Sequence, residues 1–314
     1  MLQAVIDIGT NTFNLIIANR LTEEILHKEK LAVRLGKGGI SKGIIADDAA
    51  ERAIQALLKY KSTIEKFKVE NVIVTATSAV RNAQNKNEFI QKVLTETGFE
   101  VQILSGDEEA NLIYQGVKHF LKIGTQPELI IDIGGGSIEF IVANKDEALW
   151  MKSLEIGGQR LMDKFHKHDP ISNEDIDRLN AFLKEQLAEV FEVCGKYQVK
   201  AIIGSAGSFD TLEDMYLLKV GGEAVSNQNC DLPIDYFQSI CTDLITKNKE
   251  ERMQIPGMIA MRVDMIVVSS LLIKLLIETL GIVNLRVSAY ALKEGVLFGD
   301  NDMAGSIHQT LKHE

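Results

Sequence analysis

The stretch Val5-Ile6-Asp7-Ile8-Gly9-Thr10-Asn11 returns 125 positions later as Ile130-Ile131-Asp132-Ile133-Gly134-Gly135-Gly136-Ser137. Each copy reads as an apolar strand, an Asp, a Gly-bearing turn and a second strand (Phe13–Ala18 and Ile138–Ala143). A chain that repeats one supersecondary unit at this distance is expected to fold as two related lobes with a cleft between them. Its 314 residues suffice for two domains. The first lobe is expected over 1–124 and the second over 125–314, with a last helix, about 296–314, that packs back on the first lobe.

Between and after the two copies, strands alternate with helices, which is the pattern of an α/β fold. Further strands are expected at Ile25–Leu35, Asn71–Ala76, Val101–Leu104, Glu128–Ile133, Ala148–Leu154, Lys200–Ile203 and Leu285–Ser288. Helices are expected at Asp47–Lys68, Asn87–Thr97, Gly106–Leu121, Asn173–Cys194, Ile234–Thr246 and Met261–Leu280, and from about Tyr290. Ser172 is placed to cap the fourth of these helices.

The two turns carry the chemistry. Glycine lets backbone amides approach a ligand with no Cβ in the way, and successive inward amides make an anion-binding nest. Both turns lead into strands. That separates them from the P-loop and the dinucleotide fingerprint, which lead into helices. Gly9, Thr10, Asn11 and Thr12 on one side, and Gly134, Gly135, Gly136 and Ser137 on the other, are the candidate phosphate contacts. Asp7 and Asp132 precede the turns by two residues, and Glu139 follows Ser137 by two. Carboxylates beside phosphates repel them unless a divalent metal lies between, and Mg²⁺ is held by one or two carboxylates plus phosphate oxygens and water. Two ordinary hairpins whose Asp residues cap the turns would read the same way singly. Their recurrence as a matched pair favours the functional reading.

Ser105-Gly106-Asp107-Glu108-Glu109 begins a helix after a strand. Ser105 at the N-cap and Glu108 three residues on form a capping box, which accounts for Glu108. It does not account for Glu109, one step of 100° further round the helix, which remains a candidate general base. Thr75-Ala76-Thr77-Ser78-Ala79-Val80-Arg81 closes a buried strand at the end where α/β proteins place their sites. Arg81 is a candidate bidentate phosphate clamp, or else a surface arginine at a helix start. Residues 34–39 and 42–43 read as a cationic loop, and 202–208 as a strand, a small-residue turn and a helix start. His166, His168, His308 and His313 form no metal-like cluster and are read as structural or surface residues.

Composition narrows the partners. Asp and Glu number 44 against 34 Lys and Arg, a formal charge of −10, which argues against broad nucleic-acid binding. A compact phosphorylated ligand is still open to it, because a few local cations dominate within a Debye length of about 8–10 Å. Three cysteines without a C-x-x-C pair fit a reducing compartment. The N-terminus lacks a basic n-region, and the apolar stretch 263–280 contains charges. No signal peptide and no membrane span are therefore expected, and the protein is expected to be cytoplasmic.

Taken in chain order, Asp7–Thr12, Ala76–Arg81, Leu104–Ala110, Asp132–Glu139, Arg262–Asp264 and Val287–Gly295 resemble the motifs of the exopolyphosphatase / guanosine pentaphosphate phosphohydrolase (Ppx/GppA) family. That family lies within the actin-like ATPase superfamily. The resemblance implies two actin-like (ribonuclease H-like) lobes and a hydrolase acting on phosphoanhydride bonds. It implies an exopolyphosphatase acting on inorganic polyphosphate, with guanosine pentaphosphate (pppGpp) 5′-phosphohydrolase as the alternative. An ATP-dependent kinase or ATPase, or a non-catalytic alarmone sensor, is the more distant rival. By matching position, Glu109 is the base, Asp132 and Glu139 are further essential carboxylates, and Gly134–Ser137 bind phosphate. Asp7, Thr10, Asn11 and Thr12 form the opposite loop, with Arg81 nearby. Asp7, Asp132 and Glu139 would hold the metal, Mg²⁺ in most of the family, with Mn²⁺ as the alternative. A homodimer is implied as one arrangement, although core burial explains the apolar 263–280 helix equally. The sequence departs from the family at Thr12, often Ser, and at 204–208, where a more Thr-rich turn is usual. Long members continue past the position of Glu314 into an all-helical HD-like region that helps to hold extended polyphosphate.

Overall fold

Alternating apolar residues build the first hairpin. Leu2–Ile8 (β1) and Phe13–Asn19 (β2) pair antiparallel, with Ile8 opposite Phe13 and Ile6 opposite Leu15. Because side chains alternate across a strand, these four face one core together with Ala4 and Ile17. The structure, a computed structural model, describes residues 1–223 and 230–299. The chain sorts into two compact units, one of 1–119 with the segment from Ala291 onward, the other Phe120–Tyr290.

The first unit continues with β3 (Glu24–Leu31), α1 (Asp47–Lys66), β4 (Asn71–Ala76), α2 (Ser78–Arg81), α3 (Lys86–Thr97), β5 (Gln102–Ile103) and α4 (Gly106–Phe120). Its sheet runs β3-β2-β1-β4-β5, with β1 to β3 antiparallel and β4 and β5 parallel to β1. Helix α1 turns Ala53, Ile54, Leu57, Tyr60 and Ile64 onto the sheet. The Tyr60 hydroxyl donates to the Phe13 carbonyl at 2.8 Å, tying α1 to the first residue after the hairpin turn.

The second unit contains β6 (Glu128–Ile133), β7 (Ile138–Ala143), β8 (Ala148–Leu154), α5 (Gly158–Phe165), α6 (Asn173–Gln186), α7 (Ala188–Lys196), β9 (Ala201–Ser205), α8 (Ala206–Lys219), β10 (Cys230–Asp231), α9 (Ile234–Thr246), α10 (Lys249–Arg252), α11 (Met265–Leu280) and β11 (Asn284–Val287). Its sheet runs β10-β11-β9-β6-β7-β8. Without the short β10, it has the strand order and directions of the first sheet. Both units are therefore α/β lobes of the actin-like (ribonuclease H-like) type. Strands β6 and β7 are buried along their whole length, as expected of strands covered on both faces. The last helix among the described residues, α12 (Leu292–Phe298), belongs to the first unit and packs on β1 and β2.

Several expectations change. The strand expected over 25–35 stops at Leu31, because Arg34 adopts a left-handed φ of 54° and the chain turns. The helix expected over 173–194 is two helices. The break at buried Leu187 keeps Leu179, Leu183, Val190 and Cys194 on one core. Ser172 does cap the first of them, its Oγ accepting from the Asp175 amide at 3.2 Å. The helix expected from Met261 starts at Met265, and α5 was not foreseen. Most of the expected final helix over 296–314, with His308 and His313, lies outside the described residues. No helix among the described residues is long and apolar enough to cross a membrane.

Candidate active site

The two repeated turns close their hairpins at the same register. Residues 9–12 join Ile8 to Phe13, and residues 134–137 join Ile133 to Ile138. A Cβ on Gly9 would lie 2.7 Å from the Thr12 carbonyl oxygen, and one on Gly134 would lie 3.0 Å from that of Ser137. A side chain at the first position of either turn would crowd the carbonyl of the fourth residue, by overlap at Gly9 and by tight contact at Gly134. Thr10, Thr12 and Ser137 are buried.

The supports of the turns decide which way their amides face. In the second turn, the Gly134, Gly135 and Gly136 carbonyls accept from the amides of Gly158 (2.9 Å), Gln159 (2.9 Å) and Gly157 (3.0 Å) at the start of α5. In a trans peptide the C=O and the following N–H point in opposite directions. The amides of Gly135, Gly136 and Ser137 therefore face away from α5, as an anion nest requires. Gly157 permits this docking, since a Cβ there would fall 2.5 Å from backbone atoms of Gly135 and Gly136. The first turn is supported alike: the Gly36 amide donates to Thr10 O at 2.9 Å and the Arg34 amide to Asn11 O at 2.8 Å. Residues 34–36, expected as a cationic loop, thus serve as the backing of a turn. In both units the backing segment directly follows the third strand.

The carboxylates lie in rows across the sheets. In the second unit, Ser205, Asp132, Glu139 and Ser153 are register partners on β9, β6, β7 and β8. Ser205 Oγ donates to Asp132 Oδ2 at 2.8 Å, and Ser153 Oγ donates to Glu139 Oε1 at 2.7 Å. In the first unit the equivalent row is Thr75, Asp7, Asn14 and Lys30 on β4, β1, β2 and β3. Asn14 Nδ2 donates to Asp7 Oδ2 at 2.9 Å, and the buried Oδ1 of Asp7 has no hydrogen-bond partner among the described residues. Burial pushes the Asp7 carboxyl up to about 6, with Asn14 and Lys293 pulling the other way. Even the hydroxyls correspond, since Thr75 and Ser205 each reach the carbonyl of the residue before the Asp, at 3.4 Å. Asp132 and Glu139 are 7% and 1% exposed. Arg262, also buried, lies close enough to Asp132 for their charges to interact. Its guanidinium packs where a Cβ on Gly207 would be.

Glu109 is separated from its neighbour as the capping argument anticipates. Ser105 N–H donates to Glu108 Oε2 at 2.7 Å and Glu108 N–H to Ser105 Oγ at 3.2 Å, which completes the box. Glu109 turns inward and is 6% exposed. Arg81, from the end of α2, donates from Nη1 to Glu109 Oε2 at 2.8 Å and to the Leu104 carbonyl at 3.0 Å. Arg81, a candidate phosphate clamp, is thus also bonded to the candidate base Glu109.

Among the described residues no cluster of three or more His, Cys, Asp or Glu side chains gathers as a cation site. The facing Asp132 and Glu139, with only oxygen donors, suit a hard divalent ion that completes its shell with phosphate and water. His168 bonds through Nδ1 to Asp175 at 2.7 Å and is structural. Sequence reasoning missed Gly157–Arg160, Ser153 and the partnership of Arg81 with Glu109. The Gly157-Gly158 pair between a strand and an amphipathic helix was the one available signal.

A family model described as the Ppx/GppA phosphatase family matches residues 16–304. The crystal structure of an exopolyphosphatase from Cytophaga hutchinsonii is 38% identical with a TM-score of 0.92, over 97% of this chain and 98% of that one. The Ppx/GppA family member of Aquifex aeolicus is 28% identical with a TM-score of 0.79, over 98% of this chain and 99% of that one.

Proposed function

The chain belongs to the Ppx/GppA phosphatase family, and from that premise we propose that it is an exopolyphosphatase that releases the terminal phosphate of inorganic polyphosphate. Turn 9–12, Asp7 and Glu109 belong to the first unit, and turn 134–137, Asp132 and Glu139 to the second. The outward amides of the turns bind phosphate oxygens, and hydroxyls of Thr10, Thr12 and Ser137 add donors. Asp132 and Glu139, register partners in the second unit, would hold a divalent ion, Mg²⁺ in this reading, which when bound supplies charge neutralisation at the transferring phosphoryl group. Glu109, held by Arg81, orients and deprotonates the attacking water. Positioning and electrostatic stabilisation supply most of the rate, as in other phosphoryl transfers. Cys194, Cys230 and Cys241 are all unpaired thiols, which suits a reducing, cytoplasmic setting.

One observation carries the reading: a buried glutamate at a helix start that the cap does not use and an arginine fixes. Glu109→Gln keeps the shape and removes the base. Phosphate release from polyphosphate should fall by about 10²–10⁴-fold, and retention within about tenfold would refute the role of Glu109. A panel of polyphosphate, pppGpp and ATP, each with and without Mg²⁺, tests the substrate. Faster release from pppGpp would move the assignment to the alarmone hydrolase.

A further inference from the structure

Helix α5 does more than back the second turn. Its first turn delivers Arg160, whose Nε donates to the Gly136 carbonyl at 2.9 Å. The same carbonyl accepts from the Gly157 amide, so Gly136 is held by two donors from one helix. Helix α5 packs in turn on α6 and on α11, and α11 is buried along most of its length. The anchor is therefore stiff. Arg160 is about a quarter exposed, and its Nη2 lies 3.4 Å from Glu155 Oε2, the flanking carboxylate. Arg262, by contrast, is almost wholly buried beside Asp132.

We propose that Arg160 is a positioning residue of the 134–137 turn that sets affinity for the phosphate chain: it locks the Gly136 carbonyl away from the ligand, keeps the amides of 135–137 turned toward it, and adds a guanidinium charge behind the turn. The proposal rests on reading that turn as a phosphate site. In a chain with a formal charge of −10, a polyanion meets overall repulsion. A cation within a Debye length of the turn then weighs heavily. Arginine can bond the Gly136 carbonyl through Nε while its Nη2 engages Glu155, which a lysine cannot do. Glu155 competes for that charge, so its removal should favour the anion.

The test uses Arg160→Gln, Arg160→Lys and Glu155→Gln in the full chain. Kinetics are measured with tripolyphosphate, and binding of tripolyphosphate is measured calorimetrically in the Glu109→Gln background with Mg²⁺. Arg160→Gln should raise KM and Kd by about tenfold, the effect of one charged hydrogen bond, with kcat within about threefold. Its Kd should also depend less steeply on salt. Arg160→Lys should recover part of the affinity through its charge, and Glu155→Gln should tighten binding by about twofold. A Kd for Arg160→Gln within twofold of the parent overturns the proposal, as does a loss of kcat without a change in KM. If Arg160→Gln does not fold, unchanged affinity in both other variants overturns it equally. Absence of phosphate release from every substrate would defeat the proposed activity, while the Kd comparison would still decide the role of Arg160.

Discussion

Glu213 provides a measurable consequence of burial. It lies on α8, the helix that begins directly after the Asp132 partner Ser205, and it is 3% exposed. Its Oε1 has no hydrogen-bond partner among the described residues, and the charges that act on it, Asp210 and Asp214, are both negative. Burial first, then like charge, pushes its carboxyl from 4.5 up to about 8. Because the folded value is the raised one, the associated stability is complete below pH 4.5 and is lost as the pH rises to about 8. At 1.36 kcal/mol per pH unit, the gap between 4.5 and about 8 amounts to about 5 kcal/mol. Glu213→Gln mimics the protonated carboxyl and does not titrate. The two proteins should match near pH 4.5, and the variant should be more stable by about 3 kcal/mol at pH 7 and about 5 kcal/mol above pH 8. Urea unfolding of both proteins between pH 4.5 and 8.5 measures this, since every titration common to both cancels in the difference. A difference that stays flat from pH 5 to 8 would refute the reasoning.

Two further substitutions probe the architecture of the site. Gly157→Ala forces a Cβ to within 2.5 Å of the Gly135 and Gly136 backbone; it should cost about 1–3 kcal/mol of stability and slow phosphate release, and wild-type turnover would show that the turn does not need its backing. Ser105→Ala removes half of the capping box and should cost about 1 kcal/mol in urea unfolding, while turnover stays near wild type because Arg81 holds Glu109; a loss as large as that of Glu109→Gln would refute the division between cap and base.

Much of this was legible along the chain because its signals are local. The strands Asn71–Ala76, Glu128–Ile133, Ile138–Ala143 and Ala148–Leu154 and the helix Ile234–Thr246 appear with the expected bounds. Each is an unbroken periodic run between turn residues. The capping box could be read because Ser105 and Glu108 are three residues apart. Misreadings fell where a distant partner overrode the local pattern. Residues 32–35 look strand-like, yet Arg34 and Gly36 donate to a turn more than twenty residues away. Gly157 drew no reading from the sequence, yet it is a contact point for Gly135 and Gly136.

By itself, then, the order of residues determined the repeat, the α/β alternation, the positions of the two turns and the separation of Glu109 from its cap. All of these follow from periodicity, glycine and short spacings. The tertiary structure decided what those groups face. It aligned Ser205, Asp132, Glu139 and Ser153 into one row, brought Arg81 across 28 positions to Glu109, and turned the amides of 135–137 outward by occupying the carbonyls behind them. The physical reason is that strand register and helix docking are set by long-range burial, and that burial chooses the partner of each polar group.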